Sequence, residues 1–192
     1  IAINMSLSTN DGAHNGSSLL EQYISTVSAI ERVTIVIAAG NEGEAAHHVG
    51  RTLEEINDVY FNISSDESIV VINLYKSILP ELSMELLSPY GIGTGEIILK
   101  EGINEGTIGN SRYSIYLTGP KPFDVSGEIG IVLTGINEFV SSGQWKITLR
   151  KLNEYEGCFD MWLPISEGLN VNTKFLEPVV YNTLGIPATV KN

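Results

Sequence analysis

Val33-Thr34-Ile35-Val36-Ile37-Ala38-Ala39-Gly40-Asn41-Glu42-Gly43 is a continuous apolar run that gives way to small residues and ends on an asparagine between glycines. A run such as Val33 to Ile37 suits a strand buried on both faces. Ala38, Ala39 and Gly40 carry almost no side chain, so another group can approach the backbone closely there. Asn41 then offers an amide donor at the C-terminal end of a strand, where open α/β sheets place their ligands. Taken alone, the same asparagine also reads as a polar strand-end cap.

Upstream of this run, Ala2 to Leu7 reads as a short strand, and Ser8 to Ser17 as a polar loop with the turn pairs Asp11-Gly12 and Asn15-Gly16. Ser18 and Glu21 have capping-box spacing, which places a helix start at residue 18. Leu19, Leu20, Tyr23, Ile24, Val27 and Ile30 recur at helical spacing, and core packing is the expected use of that stripe. Strand, helix and strand in so short a span predict a βαβ unit with parallel pairing and a right-handed crossover.

Beyond His48 the texture changes. Runs of strand character recur at Val59–Ser64, Ser68–Lys76, Leu82–Leu87, Gly95–Lys100, Tyr113–Thr118, Gly127–Leu133, Trp145–Leu152 and Cys158–Leu163. Many alternate apolar and polar residues, as in Trp145-Lys146-Ile147-Thr148-Leu149-Arg150. Turn signals separate them at Ser65-Asp66, Gly102, Asn104-Glu105-Gly106, Gly109-Asn110, Gly119-Pro120 and Ser142-Gly143. About eight strands at this spacing predict an antiparallel sandwich of jelly-roll form. The expected fold class is therefore mixed: a β jelly roll inserted into a partial α/β, parallel-sheet domain. The boundaries drawn are residues 1–48 for the α/β segment, 49–174 for the insertion and 175–192 for the return.

The 192 residues carry 11 basic and 23 acidic side chains, a net charge of -12. That balance argues against a nucleic-acid surface, which needs clustered Lys and Arg, and against an anionic membrane. A hydrophobic fraction of 43% is that of a globular chain rather than a disordered one. One cysteine cannot form an intrachain disulfide, so the redox compartment stays open. No apolar run is long enough to span a bilayer. The chain opens at Ile1 in the style of a strand interior, as a piece of something larger would.

Asn4-Met5-Ser6-Leu7, the amphipathic helix and Ile35-Val36-Ile37-Ala38-Ala39-Gly40-Asn41-Glu42-Gly43 together resemble the subtilisin-like serine proteases. The resemblance implies that Asn41 supplies the side-chain donor of an oxyanion hole. It implies that Ser6, Leu7 and Ser8 wall the substrate cleft, and that Ala38, Ala39 and Gly40 floor the pocket for the residue before the cut. Ser8 departs from the family, many of whose members carry glycine there. Thr9 to Ser17 and Thr183 to Thr189 look like the clostridial Csp-type subtilases, whose jelly-roll insertion lies where this chain puts its β module. The resemblance covers about 60 residues at the two ends.

The family's triad of Asp, His and Ser does not appear in its motifs. The expectation is a serine endopeptidase whose triad lies outside the chain and whose 192 residues alone are inactive. Its partner would be a protein or peptide substrate, with association through unpaired edges of the α/β part. No cofactor is evident from the residues, and the family resemblance allows calcium. Secretion, or a place in the spore or cell envelope, is likewise implied by the resemblance.

Other residues give weaker readings. Adjacent His47 and His48 would point to opposite faces if extended, a poor chelating geometry; Glu42 and Glu44 nearby make a metal conceivable, but they read as loop histidines. His14 beside Asn10 and Asp11 lacks the pattern of a calcium loop. Cys158 reads as a buried structural thiol. Tyr60, Tyr113, Tyr116, Trp145 and Trp162 read either as core or as a sugar-binding face. The alternative function is accordingly non-catalytic: a jelly-roll binding module, or a decayed protease in spore-germination signalling.

Overall fold

The structure is a computed structural model and describes residues 1–164 and 168–191. Ten of its strands build two facing antiparallel sheets. They are β3 (His48–Thr52), β4 (Ile56–Ile63), β5 (Ile69–Ser77), β6 (Leu82–Leu87), β7 (Ile97–Ile98), β8 (Gly102–Ile108), β9 (Ser111–Thr118), β10 (Ser126–Gly135), β11 (Gly143–Lys151) and β12 (Cys158–Trp162). One sheet has the order β3-β12-β5-β10-β9-β8. The other runs β4-β11-β6-β7 and gains β13 (Lys174–Phe175) at the β4 edge. Four strands from each sheet, interleaved in this way, give a jelly-roll-like sandwich, which the β8–β9 hairpin widens.

Period-2 patterning explains the core. Val59, Phe61 and Ile63 of β4 and Trp145, Ile147 and Leu149 of β11 face inward from one sheet. Ile72 and Leu74 of β5 and Ile129, Ile131 and Leu133 of β10 meet them from the other. Each such side chain contributes about 1.5–3 kcal/mol by leaving water. Trp145 is wholly buried, and its indole N–H donates to the Ser141 carbonyl at 2.7 Å, so the burial strands no polar atom.

Strand β8 lies in a stretch whose Gly and Asn residues read as turns. It forms because β9 beside it offers a full row of backbone partners, from Gly102 opposite Leu117 to Ile108 opposite Ser111. Gly106 belongs there because the Tyr113 ring lies over it and would collide with a Cβ. At the other end of the pattern, Gly95–Lys100 shrinks to the two residues of β7.

The terminal segments correct the expected fold class. They form β1 (Ala2–Met5), α1 (Leu19–Glu31) and β2 (Thr34–Ile37), and β1 pairs β2 in parallel. The sheet stops at those two strands. The described chain is therefore nearly all β, with antiparallel sheets and one short helix, and not an α/β parallel-sheet domain carrying an insertion. A local strand–helix–strand pattern specifies the unit but not how many neighbours its strands receive.

The helix starts as its sequence dictates. Ser18 Oγ accepts from the Glu21 backbone N–H at 3.2 Å, and the Glu21 carboxylate accepts from the Ser18 N–H. Its apolar stripe is another correction: only Ile24 is buried, while Leu19, Leu20, Tyr23 and Ile30 are exposed. The helix packs on β2 and on the C-terminal tail, which leave that face open.

These terminal elements dock on the outer face of the β3-containing sheet. Trp162 of β12 is held between two imidazoles, with His14 stacked at 4.2 Å and His48 at 4.7 Å between ring centroids. Asn73 of β5 donates to Asp11 at 2.9 Å, and Asn15 donates to Asp124 at 3.2 Å. The tail is tied in as well, with Thr9 and Ile186 exchanging both backbone hydrogen bonds.

Candidate functional site

Parallel strands bring their C-terminal ends to the same side. Ala2 faces Thr34 and Met5 faces Ile37, and the Ala38 N–H extends the ladder to the Met5 carbonyl at 3.0 Å. Ser6-Leu7-Ser8 therefore leaves β1 beside Ala38-Ala39-Gly40 leaving β2. The tail lies against both: the Gly185 N–H donates to the Ala39 carbonyl at 3.0 Å. Gly185 lies so close that a Cβ there would overlap the Ser8 hydroxyl, which would have to rotate away. Gly40 has a φ of +89°, and a Cβ on it would come within 3.3 Å of the same hydroxyl. The close approach expected of the small residues is thus taken up in part by the chain's own tail.

Ser6, Leu7, Ser8, Ala39, Gly40 and Asn41 are exposed, and Ala38 is half-buried. The site residues read from the sequence lie together on one open edge. The Asn41 amide has no hydrogen-bond partner among the described residues.

Immediately after it the chain turns and is anchored. Glu42 Oε2 accepts from His47 Nδ1 at 2.7 Å, and the Ala45 N–H donates to the Glu42 carbonyl at 3.1 Å. His47 and His48 are both buried, at 7% and 2% exposure; His47 lies in the loop before β3, as read, while His48 is the first residue of that strand. The extended backbone does send them to different partners: His48 Nε2 donates to Asp160 of β12 at 2.9 Å.

A histidine on a carboxylate is two thirds of a hydrolytic triad. The remaining nitrogens, His47 Nε2 and His48 Nδ1, are buried with no partner among the described residues. No serine or cysteine among them stands on either ring to be activated. His14 is equally engaged, between the Leu184 carbonyl at 2.7 Å and the Asn10 carbonyl at 3.3 Å. Burial, as the largest cause, lowers its pKa below the ordinary imidazole value, against the raising effect of the two carbonyls. No group of three or more His, Cys, Asp or Glu among the described residues is placed to hold a metal ion.

A cleft of about 500 Å³ opens between residues 13–15 and the rim of the sandwich, with Tyr75, Asp160, Cys158 and Trp162 on its walls. Cys158 is exposed rather than buried, because it begins β12 with its side chain on the outer face, 3.6 Å from Ser77 Oγ. Tyr75 is pushed well above the usual phenol pKa, first by burial and then by Glu128, to which its hydroxyl donates at 3.1 Å. Of the five aromatic residues read as core or as a sugar-binding face, Trp145 and Trp162 are buried, Tyr60 and Tyr113 half-buried and Tyr116 exposed. Trp145 is in the core and both faces of Trp162 are occupied. Glu42, five residues before His47, was visible as a neighbour in the sequence, whereas no signal marked Asp160, which lies 112 residues from His48.

Jelly-roll-like sandwich with a terminal βαβ layer on one sheet: that is the class of structure these residues define. Among solved structures the chain is similar to the Clostridium perfringens CspB protease, with a TM-score of 0.94 and 50% identity over 99% of its residues. It spans 40% of that protein's chain. The likeness makes the chain a relative of a clostridial protease. No family model matches it, and no curated protein sequence does.

Proposed function

We propose that the chain is part of a subtilisin-like serine endopeptidase, in which Asn41 donates its side-chain amide to the oxyanion. The observation that carries the reading is the 50% identity to a clostridial protease over nearly the whole chain. Acyl transfer builds negative charge on the former carbonyl oxygen, and a donor already in place stabilises it without reorganisation. An exposed, unpartnered amide at the end of β2 is suited to that role. Ser6-Leu7-Ser8 and Ala38-Ala39-Gly40 leave the paired strands side by side, and their backbone groups other than the Ala38 N–H and the Ala39 carbonyl, already bonded to Met5 and Gly185, are those against which an extended peptide substrate can pair. Asp, His and Ser of the triad are supplied from outside these 192 residues. The exposed face of α1 and the outer edges of β1 and β2 support packing against further protein there. The jelly roll braces the cleft residues from behind.

The test compares the full-length protein with its Asn41→Ala variant on a succinylated tetrapeptide p-nitroanilide. The expected result is a kcat lower by roughly 10²–10³ with KM little changed, the loss known for subtilisin's own donor. The 192-residue chain alone is expected to be inert and not to react with a fluorophosphonate. An unchanged kcat in the variant, or labelling of a serine in the short chain, overturns the assignment. A full-length protein that cleaves no peptide at all returns the non-catalytic reading.

A further inference from the structure

We propose that Glu42 and His47 are positioning residues for the Asn41 amide, and that through them the sandwich sets where that amide points. The proposal rests on the reading of Asn41 as an oxyanion donor and goes beyond it. A donor works in catalysis to the extent that it is held in place before the charge develops. Asn41 itself is exposed and makes no hydrogen bond that would hold it. Its placement therefore falls to the residues on either side.

Before Asn41, the Ala39 carbonyl is fixed by the Gly185 N–H at 3.0 Å. After it, the first anchored side chain is Glu42, whose carboxylate meets His47 Nδ1 at 2.7 Å. The other ring nitrogen of His47 is buried without a partner, so the proton belongs on Nδ1, where the acceptor is. Charge assistance makes this a strong and directional contact.

His47 cannot shift with the loop, because its backbone is built into the sandwich. Its carbonyl accepts from Leu163 and that of His48 from Val179, both at 2.9 Å. His48 is clamped in turn by Asp160 and by the face of Trp162. A continuous path thus runs from the turn at Asn41 to β12.

The backbone between the two partners carries strain that the contact helps to retain. Ala46 has a φ of +60°, a conformation that a residue with a Cβ rarely adopts. Such a residue persists where its surroundings over-determine it. Here Phe175 donates to the Ala46 carbonyl at 2.9 Å, and Glu42 closes the loop onto His47. Without the Glu42 carboxylate the turn keeps its backbone bonds, the one from the Ala45 N–H to the Glu42 carbonyl included, and loses its side-chain tie to His47.

The experiment uses the full-length protein with Glu42→Ala, Glu42→Gln and Asn41→Ala, followed by hydrogen exchange and by turnover of the p-nitroanilide. In Glu42→Ala, exchange at residues 41–45 is expected to rise about tenfold while that of β4, β5 and β11 stays unchanged. Its kcat is expected to fall roughly tenfold or more with KM within about twofold, a cost typical of misplacing a catalytic group. Glu42→Gln, whose amide oxygen still accepts from Nδ1–H, is expected to restore most of both. Unchanged exchange and kcat in Glu42→Ala, or no rescue by Gln, overturns the proposal. An unchanged kcat in Asn41→Ala instead removes the oxyanion reading, and a protein without turnover leaves the exchange data to decide the positioning.

Discussion

The sandwich and the terminal layer are held by different kinds of contact. Between the two sheets, twenty-five buried apolar residues form one cluster, from Val49 to Phe175. In the layer made by residues 1–47 and 176–191, the buried apolar side chains are Ile24, Ile186 and Pro187. What fixes the layer is directional: a capping box, an indole between two imidazoles, amide–carboxylate bonds and the Thr9–Ile186 bridge. Hydrophobic burial is forgiving of geometry and large in sum, whereas hydrogen bonds and stacks are smaller and specify position. A cleft residue that must be placed accurately sits on the part of the molecule held by directional contacts.

The contrast breaks most sharply in the sandwich core. Phe61 contacts Trp145 and Phe175 and is fully buried, so Phe61→Ala leaves a cavity that the two sheets cannot close. A loss of about 3–5 kcal/mol is expected, read as one cooperative shift of the whole urea transition. A shift confined to the terminal layer would show that the sandwich does not govern global stability.

The next effect belongs to the junction. Trp162→Ala removes the slab on which His14 and His48 both stack. Two stacked pairs correspond to about 1–3 kcal/mol. The expected signature is local: faster hydrogen exchange at residues 9–17 and 183–190, with β4, β6 and β11 unaffected. Equal loosening of the core strands would mean that the layer and the sandwich unfold as one.

These contrasts also explain what was legible in the sequence. Alternation along β4, β5, β10 and β11 is a local pattern set by a non-local core, and it gave those strands away. The Ser18–Glu21 cap was equally visible, because its partners are three residues apart. Strand β8 was hidden, since an exposed edge strand has no apolar face to pattern; β3 was hidden because its five residues hold one apolar side chain, Val49, among His48, Gly50, Arg51 and Thr52. The size of the parallel sheet was not legible either. Val33 to Ile37 is apolar but for Thr34, yet Val36 is exposed in the described chain, because a strand's composition does not reveal who covers it. Asn41 and its neighbours could be picked out as a block. Glu42 could be picked out beside His47, five residues away, but Asp160, which seizes His48, could not, because a pairing made by the tertiary fold has no fixed spacing.

A smaller effect tests the helix as a link between the two chain ends. The Glu21 carboxylate closes the capping box and also accepts from the Thr189 hydroxyl of the tail, at 1% residue exposure. Glu21→Ala should cost about 1 kcal/mol through the cap. It should also free the tail, so that trypsin cuts after Lys191 sooner while cleavage after Lys146 in β11 is unchanged. Equal protection of the tail in both proteins would assign Glu21 to the helix alone.

The smallest effect is one of pH. His14 is faced by His48, by Glu21 and by the Leu184 and Asn10 carbonyls, and burial keeps its pKa below 6.5 in the folded chain. The unfolded histidine, at its ordinary value, therefore takes up a proton first as pH falls. A group that binds protons more readily when unfolded contributes least to stability on the acid side. Docking of residues 9–17 should be complete above about pH 6.5 and weaken below it, as pH drops toward the lowered value. Acid acts on the rest of the chain as well, so the informative quantity is a difference between two proteins. His14→Phe keeps a flat ring against Trp162 and removes the titrating nitrogens. Hydrogen exchange of residues 9–17 at pH 7.5 and 5.5 should show a smaller acid-induced rise in the variant than in the parent. An identical rise in both would move the acid sensitivity to the other groups on that face and leave His14 a purely structural stack.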